Sequence, residues 1–294
     1  MSDIQFRFNK DMLVMSTSFD CLFKEQGFCT EEDRLYVALC EPELIEESFR
    51  LEHMIGTPCF VTATEGMTRA RLAHANFENS ASDMARIAYE SASRFSPEHI
   101  FATIGPSGLP LDSSSAASLK QSRKQYQDAT QELSAYPFDA IYFSSFARYD
   151  DALCALMGAR AVYDGVVMLS FNLDENSQLQ CGTPLDKAVT MADEYGADVI
   201  GFSSSLDLKA CSSVFDTLKR NTSKPLLCEI EINQKNPRQL YPTNENPYPN
   251  PDTMVDAAFY LHDQGVQFIR ASKNATLSYT GALVAATMGL DVRI

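Results

Sequence analysis

Ionisable and hydroxyl side chains gather at the ends of apolar, β-rich runs in this sequence. Arg270, Ser272 and Lys273 close one such run, and Ser204 closes another. An ammonium group at such a position attracts anions and lowers the pKa of a nearby thiol. A guanidinium group there either fills pocket volume or binds an anion. The pattern predicts a small-molecule site in which Lys273 organises an anionic or thiol substrate.

The residues leave three interpretations of Lys273 open. Its ammonium group supplies the positive charge of a site, or it forms a salt bridge with Glu229 or Glu231, which end the preceding β-rich run. In the third interpretation Lys273 is a Schiff-base nucleophile, which requires a desolvated amine with a lowered pKa. Carboxylates near the amine raise its pKa instead, so they disfavour this third role.

Other polar side chains end the second and fourth β-rich runs. Glu65 either lines a pocket or belongs to a solvated rim, and Arg71 either grips a carboxylate or forms a salt bridge on a helix surface. Ser144 either donates a hydrogen bond to a ligand or fills space. We therefore expect a catalytic role for Lys273 and substrate-binding roles for a larger set: Thr62, Thr64, Glu65, Ser144, Ser204, Glu229, Glu231, Arg270 and Ser272.

Eight β-rich runs alternate with amphipathic, helix-like stretches, which predicts parallel strands joined by right-handed crossovers. No glycine-rich phosphate-binding motif follows the first run, so a single-domain (β/α)8 TIM barrel over residues 1–294 is favoured over an open sheet. In this fold the active site lies at the carboxyl ends of the strands. The predicted strands are Met12–Ser16, Cys59–Thr64, Ile100–Ile104, Ala140–Phe143, Val166–Phe171, Val199–Phe202, Pro225–Ile230 and Gln267–Ala271.

Two long segments interrupt the alternation. The polar segment from Asp20 to Leu39 is predicted to be a loop after the first strand. The proline-rich segment from Glu231 to Asp252 follows the seventh strand. We expect this second segment to overhang the carboxyl-terminal face of the barrel as a lid or substrate wall.

Charge and composition argue against several classes of function. The formal net charge is −15 without a cluster of Lys and Arg, which argues against a nucleic-acid partner. The chain lacks a run of 18 apolar residues and its first residues lack the apolar core of a signal peptide, so neither a membrane span nor export is predicted. Its eight cysteines include no C-x-x-C pair, and we expect free thiols in a cytoplasmic protein.

Short motifs along nearly the whole chain resemble those of the homocysteine S-methyltransferases. This family includes the homocysteine-binding module of cobalamin-dependent methionine synthase and the betaine and S-methylmethionine enzymes. The motifs, in chain order, are Thr62-Ala-Thr64 with Arg69-Ala-Arg71-Leu72, Ile104-Gly-Pro-Ser-Gly108, Leu169-Ser-Phe-Asn-Leu-Asp174 with Cys181-Gly-Thr-Pro184, Gly196-Ala-Asp-Val-Ile-Gly201, and Gly265-Val-Gln-Phe-Ile269.

The resemblance implies a zinc site, and this sequence departs from it at every ligand. Three thiolates hold zinc in the family, and Ser204, Ser272 and Lys273 stand in their places here. Serine hydroxyls are poor zinc ligands. The histidines are placed in helices or ahead of strands, away from the strand ends: His53, His74, His99 and His262. We therefore expect no zinc and no resident cofactor.

Two functions remain open. The resemblance implies a divergent methyltransferase that acts without zinc on a small thiol or amino-acid-like substrate at the carboxyl-terminal face. Its methyl group would come from a corrinoid or folate carried by a partner protein. In the other reading the chain is a catalytically retired barrel that binds a small molecule or a partner protein as a regulator or subunit. Loss of the ligands favours retirement or changed chemistry, whereas the intact barrel favours a retained pocket.

Overall fold

Over the residues that the computed structural model describes, 3–174, 176–234, 236, 238–239 and 241–293, eight parallel strands close into a barrel in chain order. β1 pairs with both β2 and β8, which completes the ring. The predicted (β/α)8 architecture is confirmed. The strands are β1 (Leu13–Met15), β2 (Cys59–Val61), β3 (His99–Ile104), β4 (Ala140–Phe146), β5 (Val166–Asn172), β6 (Val199–Ser204), β7 (Leu226–Ile232) and β8 (Val266–Lys273).

Two strand ends differ from the prediction by three residues, and nine other strand bounds differ by one or two. β2 ends at Val61, because beyond it the hydroxyl of Thr64 takes over the pairing with β3: it accepts from the Thr103 N–H at 2.9 Å and donates to the Thr103 carbonyl at 2.8 Å. β4 continues to Phe146, past an irregularity in its pairing with β5. Ser144 therefore lies inside a strand.

Helices alternate with the strands and surround the barrel. Three helices begin at residue types that favour a helix start: Pro42 is the first residue of its helix, Ser115 is the N-cap of the helix that begins at Ala116, and Pro184 precedes Leu185. The helices are α1 (Asp20–Glu25), α2 (Glu31–Cys40), α3 (Pro42–Met54), α4 (Arg69–His74), α5 (Ala81–Ser93), α6 (Ala116–Leu133), α7 (Tyr149–Arg160), α8 (Leu185–Glu194), α9 (Ser212–Asn221), α10 (Thr253–Asp263) and α11 (Leu277–Thr287).

The segment from Asp20 to Leu39 is not a loop, so that prediction was wrong. It folds into α1 and α2, and α2 begins with a capping box. The Thr30 hydroxyl accepts from the Asp33 N–H at 3.1 Å, and the Asp33 carboxylate accepts from the Thr30 N–H at 2.9 Å. These two bonds satisfy amide groups that the first turn of a helix leaves free.

Alternate residues of each strand divide the core into two regions. One set points into the barrel, where Met15, Phe101, Met168 and Phe268 are fully buried. The other set packs against the helices. At Gly201 an added Cβ would lie 1.9 Å from the Leu227 carbonyl oxygen, so only glycine fits at this close approach of β6 to β7. These side chains fill the interior of the barrel.

None of the helices in the described ranges is long and apolar enough to cross a membrane. The eight cysteines are free thiols, and four of them are buried.

Candidate functional site

A cavity of about 450 Å³ opens at the carboxyl ends of the strands. The barrel supplies its floor and sides, and α1 and α2 form a cover across it. The residues that line it from the barrel strands and the segments after them are Thr62, Ala63, Glu65, Gly66, Thr103, Ser144, Ser145, Glu229, Arg270, Ser272 and Lys273. The residues that line it from the segment around α1 and α2 and from α4 are Ser18, Phe19, Asp20, Phe23, Cys29, Glu31, Arg34, Leu35 and Arg71.

A buried ion pair forms part of the cavity floor. Arg270 and Glu229 are register partners on β8 and β7, and their guanidinium and carboxylate groups lie 3.6 Å apart. Arg270 also donates from Nε to the Ser16 carbonyl at 3.0 Å. The Tyr142 hydroxyl donates to Glu229 at 2.8 Å and lies 2.7 Å from the Ser170 hydroxyl. Both charges therefore have partners that hold them in place.

A second ion pair lies at the rim. The Lys273 amine is 3.6 Å from Glu231, and the lysine side chain is 54% exposed. Asn172 donates to the same carboxylate at 2.8 Å and to the Ser203 hydroxyl at 3.1 Å. Burial raises the pKa of Glu231, and the positive charge of Lys273 opposes that shift. Lys273 therefore forms the salt bridge that one interpretation of the sequence predicted, with Glu231 as its partner.

Two residues that line the cavity have a left-handed backbone. Lys273 has φ 63° and Ser145 has φ 60°, values that side-chain-bearing residues seldom adopt. Hydrogen bonds fix both: the Lys273 N–H donates to the Ser18 hydroxyl at 3.0 Å, and the Ser145 N–H donates to Ser170 at 2.8 Å. Such strained residues concentrate at ligand sites.

Ion pairs hold the cover in place. Arg34 in α2 lies 2.5 Å from Asp20 in α1. Arg71 in α4 pairs with Glu31 in α2, and its Nε donates to the Pro106 carbonyl at 2.6 Å. The cover is therefore fastened both within itself and to the barrel rim.

The Glu65 carboxylate lines the cavity without a direct hydrogen bond or salt bridge from the described residues. Among the described residues, no side chain or backbone group donates a hydrogen bond to it or forms a salt bridge with it, and solvent reaches it through the cavity. Burial raises the pKa of Glu65, the negative charges of Asp20 and Glu229 add to the shift, and the positive charges of Arg270 and Arg71 oppose it.

Glu52 lies behind the cavity wall on α3 and is 1% exposed. Its carboxylate accepts from the Thr17 N–H at 2.8 Å and from the Thr57 hydroxyl at 2.6 Å. Burial raises the pKa of Glu52 to about 7, and these two bonds and the charge of Arg270 oppose the shift. Glu52 connects α3 to the end of β1.

The cavity brings together most of the predicted site residues: Thr62, Glu65, Ser144, Glu229, Arg270, Ser272 and Lys273. It does not include Thr64, whose hydroxyl is used in pairing with β3, or Glu231, which contacts Asn172 and Lys273 beside it. Ser204 is not in the lining either. Its hydroxyl accepts from the Leu206 N–H at 3.2 Å, whereas its neighbour Ser203 belongs to the polar network of the floor.

The proline-rich segment from Glu231 to Asp252 contributes no described residue to the cavity lining. Tyr248 anchors it instead beside β6 and α11: its hydroxyl accepts from the Leu208 N–H at 2.9 Å, and its carbonyl accepts from the Tyr279 hydroxyl at 3.1 Å. Residues 235, 237 and 240 of this segment lie outside the described residues. The described part of this segment therefore does not form the predicted lid or substrate wall. Residues of α1 and α2 line the cavity instead.

Comparison with known proteins agrees with the fold. A family model described as homocysteine S-methyltransferase matches residues 15–270. This chain belongs to the homocysteine S-methyltransferase family. A search of curated proteins found no match.

Solved structures similar to this family member include the homocysteine methyltransferase MmuM from Escherichia coli. Its metallated form is 17% identical, with 94% of this chain and 96% of that chain covered and a TM-score of 0.75. Its oxidized form is 16% identical, with 97% and 98% covered and a TM-score of 0.76. The carboxyl transferase domain of Rhizobium etli pyruvate carboxylase shares the barrel at 9% identity, with 91% and 41% covered and a TM-score of 0.52.

The zinc that the family resemblance implies does not fit the residues of this member. Within the described ranges, no three His, Cys, Asp or Glu side chains are grouped so that they could hold a metal ion. The positions implied as ligands carry a hydroxyl turned to a loop at Ser204, a hydroxyl at Ser272 and an ammonium at Lys273. Cys228 is fully buried in β7, and burial raises the pKa of its thiol well above the ordinary value.

Sequence reasoning missed the cover residues Asp20, Glu31 and Arg34 and the buried Glu52. The capping pattern of Thr30 and Asp33 was a usable signal for α2. The sequence carries no comparable signal for Glu52, because a glutamate inside an amphipathic helix usually faces solvent.

Proposed function

We propose that this family member transfers a methyl group to a small thiol or amino-acid-like substrate at the carboxyl-terminal face of its barrel, without zinc. The observation that carries this proposal is the covered cavity at the strand ends, lined by Arg270, Lys273 and Glu65. Membership in the family supports the reaction class. The chemistry of Ser204, Ser272 and Lys273 supports a site without metal.

In this proposal, positive charge takes over the activation of the thiol. A free thiol has a pKa of about 8.5, so it is mostly protonated at pH 7. Lys273 and Arg270 favour the thiolate of a bound substrate, and the thiol proton leaves to solvent. The sulfur lone pair then forms the new S–CH3 bond while the bond between methyl and donor breaks, with its electrons remaining on the donor. A methylated corrinoid or folate on a partner protein is the proposed donor class.

A second function is favoured by one specific observation. Each cation in the described lining of the cavity already pairs with a carboxylate. A barrel that has lost catalysis but still binds a small molecule or a partner protein would have the same feature.

The free cysteines support a reducing compartment such as the cytoplasm for either function.

A transfer assay separates the two functions. The protein is incubated with homocysteine and, in turn, with ¹³C-methyl-labelled S-methylmethionine, betaine, methylfolate and methylcobalamin, in the presence of a chelator. Carbon NMR then follows the methyl group. We expect the label to appear on the homocysteine sulfur with one of the donors. A protein that is stabilised thermally by homocysteine but transfers no label would instead be the retired barrel.

A further inference from the structure

The outer helix α11 differs from the other helices in charge. Its residues Leu277–Thr287 include no Asp, Glu, Lys or Arg, whereas each of the other α-helices in the described ranges contains at least two such residues. A helix on the surface of a globular protein normally has an apolar inner side and a charged outer side. The outer side of α11 instead exposes Ser278 and Ala285, with Ala282 and Ala286 partly exposed beside them. This helix therefore lacks the solvated, charged side that the others have.

Two large apolar side chains of α10 lie beside α11. Val255 is 40% exposed and Phe259 is 50% exposed, and their spacing of four residues places them on the same side of the helix. The next residue, Tyr260, packs on Phe215 of α9, with ring centroids 5.9 Å apart. Because successive residues of a helix turn by about 100°, Phe259 points away from α9 and toward α11, which packs against α10 on its other side.

The end of α3 borders α11 on the opposite flank. The Ile55 Cδ1 atom lies 3.9 Å from the position that a Cβ on Gly281 would occupy. The last residue of α3, Met54, is 68% exposed. Apolar exposed or partly exposed residues thus come from three neighbouring helices, and we call them the apolar face: Met54, Val255, Phe259, Ala282 and Ala285.

Charge argues that the partner of the apolar face is a second copy of this chain. Each copy has a net charge of −15, so like charges oppose contact over most of the surface and favour contact where neither copy is charged. A two-fold contact also brings a surface against itself, so that a charge at its centre would meet its own copy. A charged partner protein or an anionic membrane would be matched by opposite charges, and the side chains of the face carry none.

The size of the face indicates a reversible contact. The helices α10 and α11 have 11 residues each. Each is therefore about 16 Å long, and at a spacing of about 10 Å the two cover a footprint of roughly 300 Å² per copy. Permanent dimers bury larger interfaces, whereas contacts of this size belong to transient complexes. The population of the dimer should therefore depend on protein concentration.

We propose that two copies of this protein associate through the apolar face, with α11 of each copy lying across the two-fold axis. The small side chains of Ala282 and Ala285 allow the two α11 helices to approach closely. Met54, Val255 and Phe259 flank the axis and lose their exposure to solvent in the dimer. This inference goes beyond the proposed function and does not depend on the chemistry in the cavity.

Sedimentation velocity of the full chain at increasing micromolar concentrations tests the proposal. We expect the mass to rise from 32.6 kDa toward twice that value. Ala285→Glu places a charge against its own copy and should raise the Kd of the dimer about tenfold or more. The matched control is Ala117→Glu, the same substitution at an exposed alanine of α6, which should leave the Kd unchanged. Circular dichroism establishes that each variant is folded.

Variants of opposite charge test the symmetry of the contact. Ala285→Lys alone should weaken the dimer as Ala285→Glu does, but an equimolar mixture of the two should associate, because the contact then joins opposite charges. High salt should leave the wild-type dimer intact, since salt screens ion pairs and not apolar contacts.

Four results would overturn the inference. The first is wild-type protein that stays monomeric at its highest soluble concentration. The second is a dimer whose Kd is the same for wild type and Ala285→Glu, which would place the contact on another surface. The third is a mixture of the Glu and Lys variants that stays monomeric, and the fourth is a wild-type dimer that high salt dissociates.

Discussion

The effect of the Lys273 charge on a ligand depends on where the amine lies: it is at the rim of the cavity, 3.6 Å from the Glu231 carboxylate. That carboxylate reduces the charge that a ligand at the rim would experience without removing it. The sequence left the partner of Lys273 open between Glu229 and Glu231; in the structure Lys273 pairs with Glu231, and Glu229 pairs with Arg270.

We predict that Lys273→Gln moves the pH midpoint of kcat/KM for methyl transfer upward. A nearby cation lowers the pKa of a bound thiol, so its removal raises that pKa and the thiolate forms at higher pH. Lys273→Arg retains the charge and should keep the wild-type midpoint. A pH–rate profile that is the same for wild type and Lys273→Gln would show that Lys273 serves only its salt bridge with Glu231.

The strands were predictable because apolar, β-rich runs alternate with helix-like stretches. The direction in which an individual side chain points was not predictable. Ser204 and Ser203 are adjacent and chemically identical, so their types do not tell which of them joins the floor network. Only the pairing of β6 with β5 and β7 places Ser203 in it. Thr64 lies outside the cavity lining for a related reason, because its hydroxyl hydrogen-bonds the backbone of Thr103 in β3.

At the scale of elements, the cover formed by α1 and α2 is the part of the fold that the sequence reading missed. Polar composition suggested a loop from Asp20 to Leu39, but a helix that lies over a cavity has a polar outer face and needs few apolar contacts. Phe23 and Leu35 are its inward, buried residues. The helices between strands were predictable because their apolar stripes pack against a continuous sheet.

We predict that Thr30→Ala loosens the cover and lowers local stability by about 1 kcal/mol. The substitution removes the hydroxyl that caps α2, so amide hydrogens of Glu31–Cys40 should exchange faster by hydrogen exchange and mass spectrometry. Thr276→Ala is the matched control, because Thr276 precedes α11 without a side-chain capping bond. Equal acceleration in both variants, each at its own helix, would show that the capping bond of Thr30 contributes no stability.

At the scale of the whole molecule, buried carboxylates make stability depend on pH. The folded pKa of Glu52 is about 7, above its ordinary value of 4.5. The folded protein therefore holds the Glu52 proton more tightly than the unfolded chain does. The stability from this group is fully present below pH 4.5 and is lost as the pH rises to about 7.

We predict that Glu52→Gln, which mimics the protonated form, removes this loss. Wild type should lose more unfolding free energy than the variant between pH 5 and pH 7.5, by about 2 kcal/mol. Urea unfolding at the two pH values measures the difference. The exposed substitution Glu47→Gln should behave as wild type, and an equal loss in wild type and Glu52→Gln would contradict the assigned shift.

The barrel as a whole was predictable, because eight alternating units and the family motifs allow few other closed arrangements. The chemistry of its site was harder to predict, because the four ion pairs around the cavity form only when β7, β8, α4 and the cover come together. These charges carry the central claim that the site works without metal.

Homocysteine binding with and without metal tests that claim most directly. Untagged protein is divided in two, one half is treated with a chelator, and calorimetry measures the Kd of each half alongside elemental analysis for zinc. We predict negligible zinc and the same Kd in both halves. Near-stoichiometric zinc in the untreated half, with homocysteine binding that disappears after chelation and returns when zinc is added back, would contradict the account.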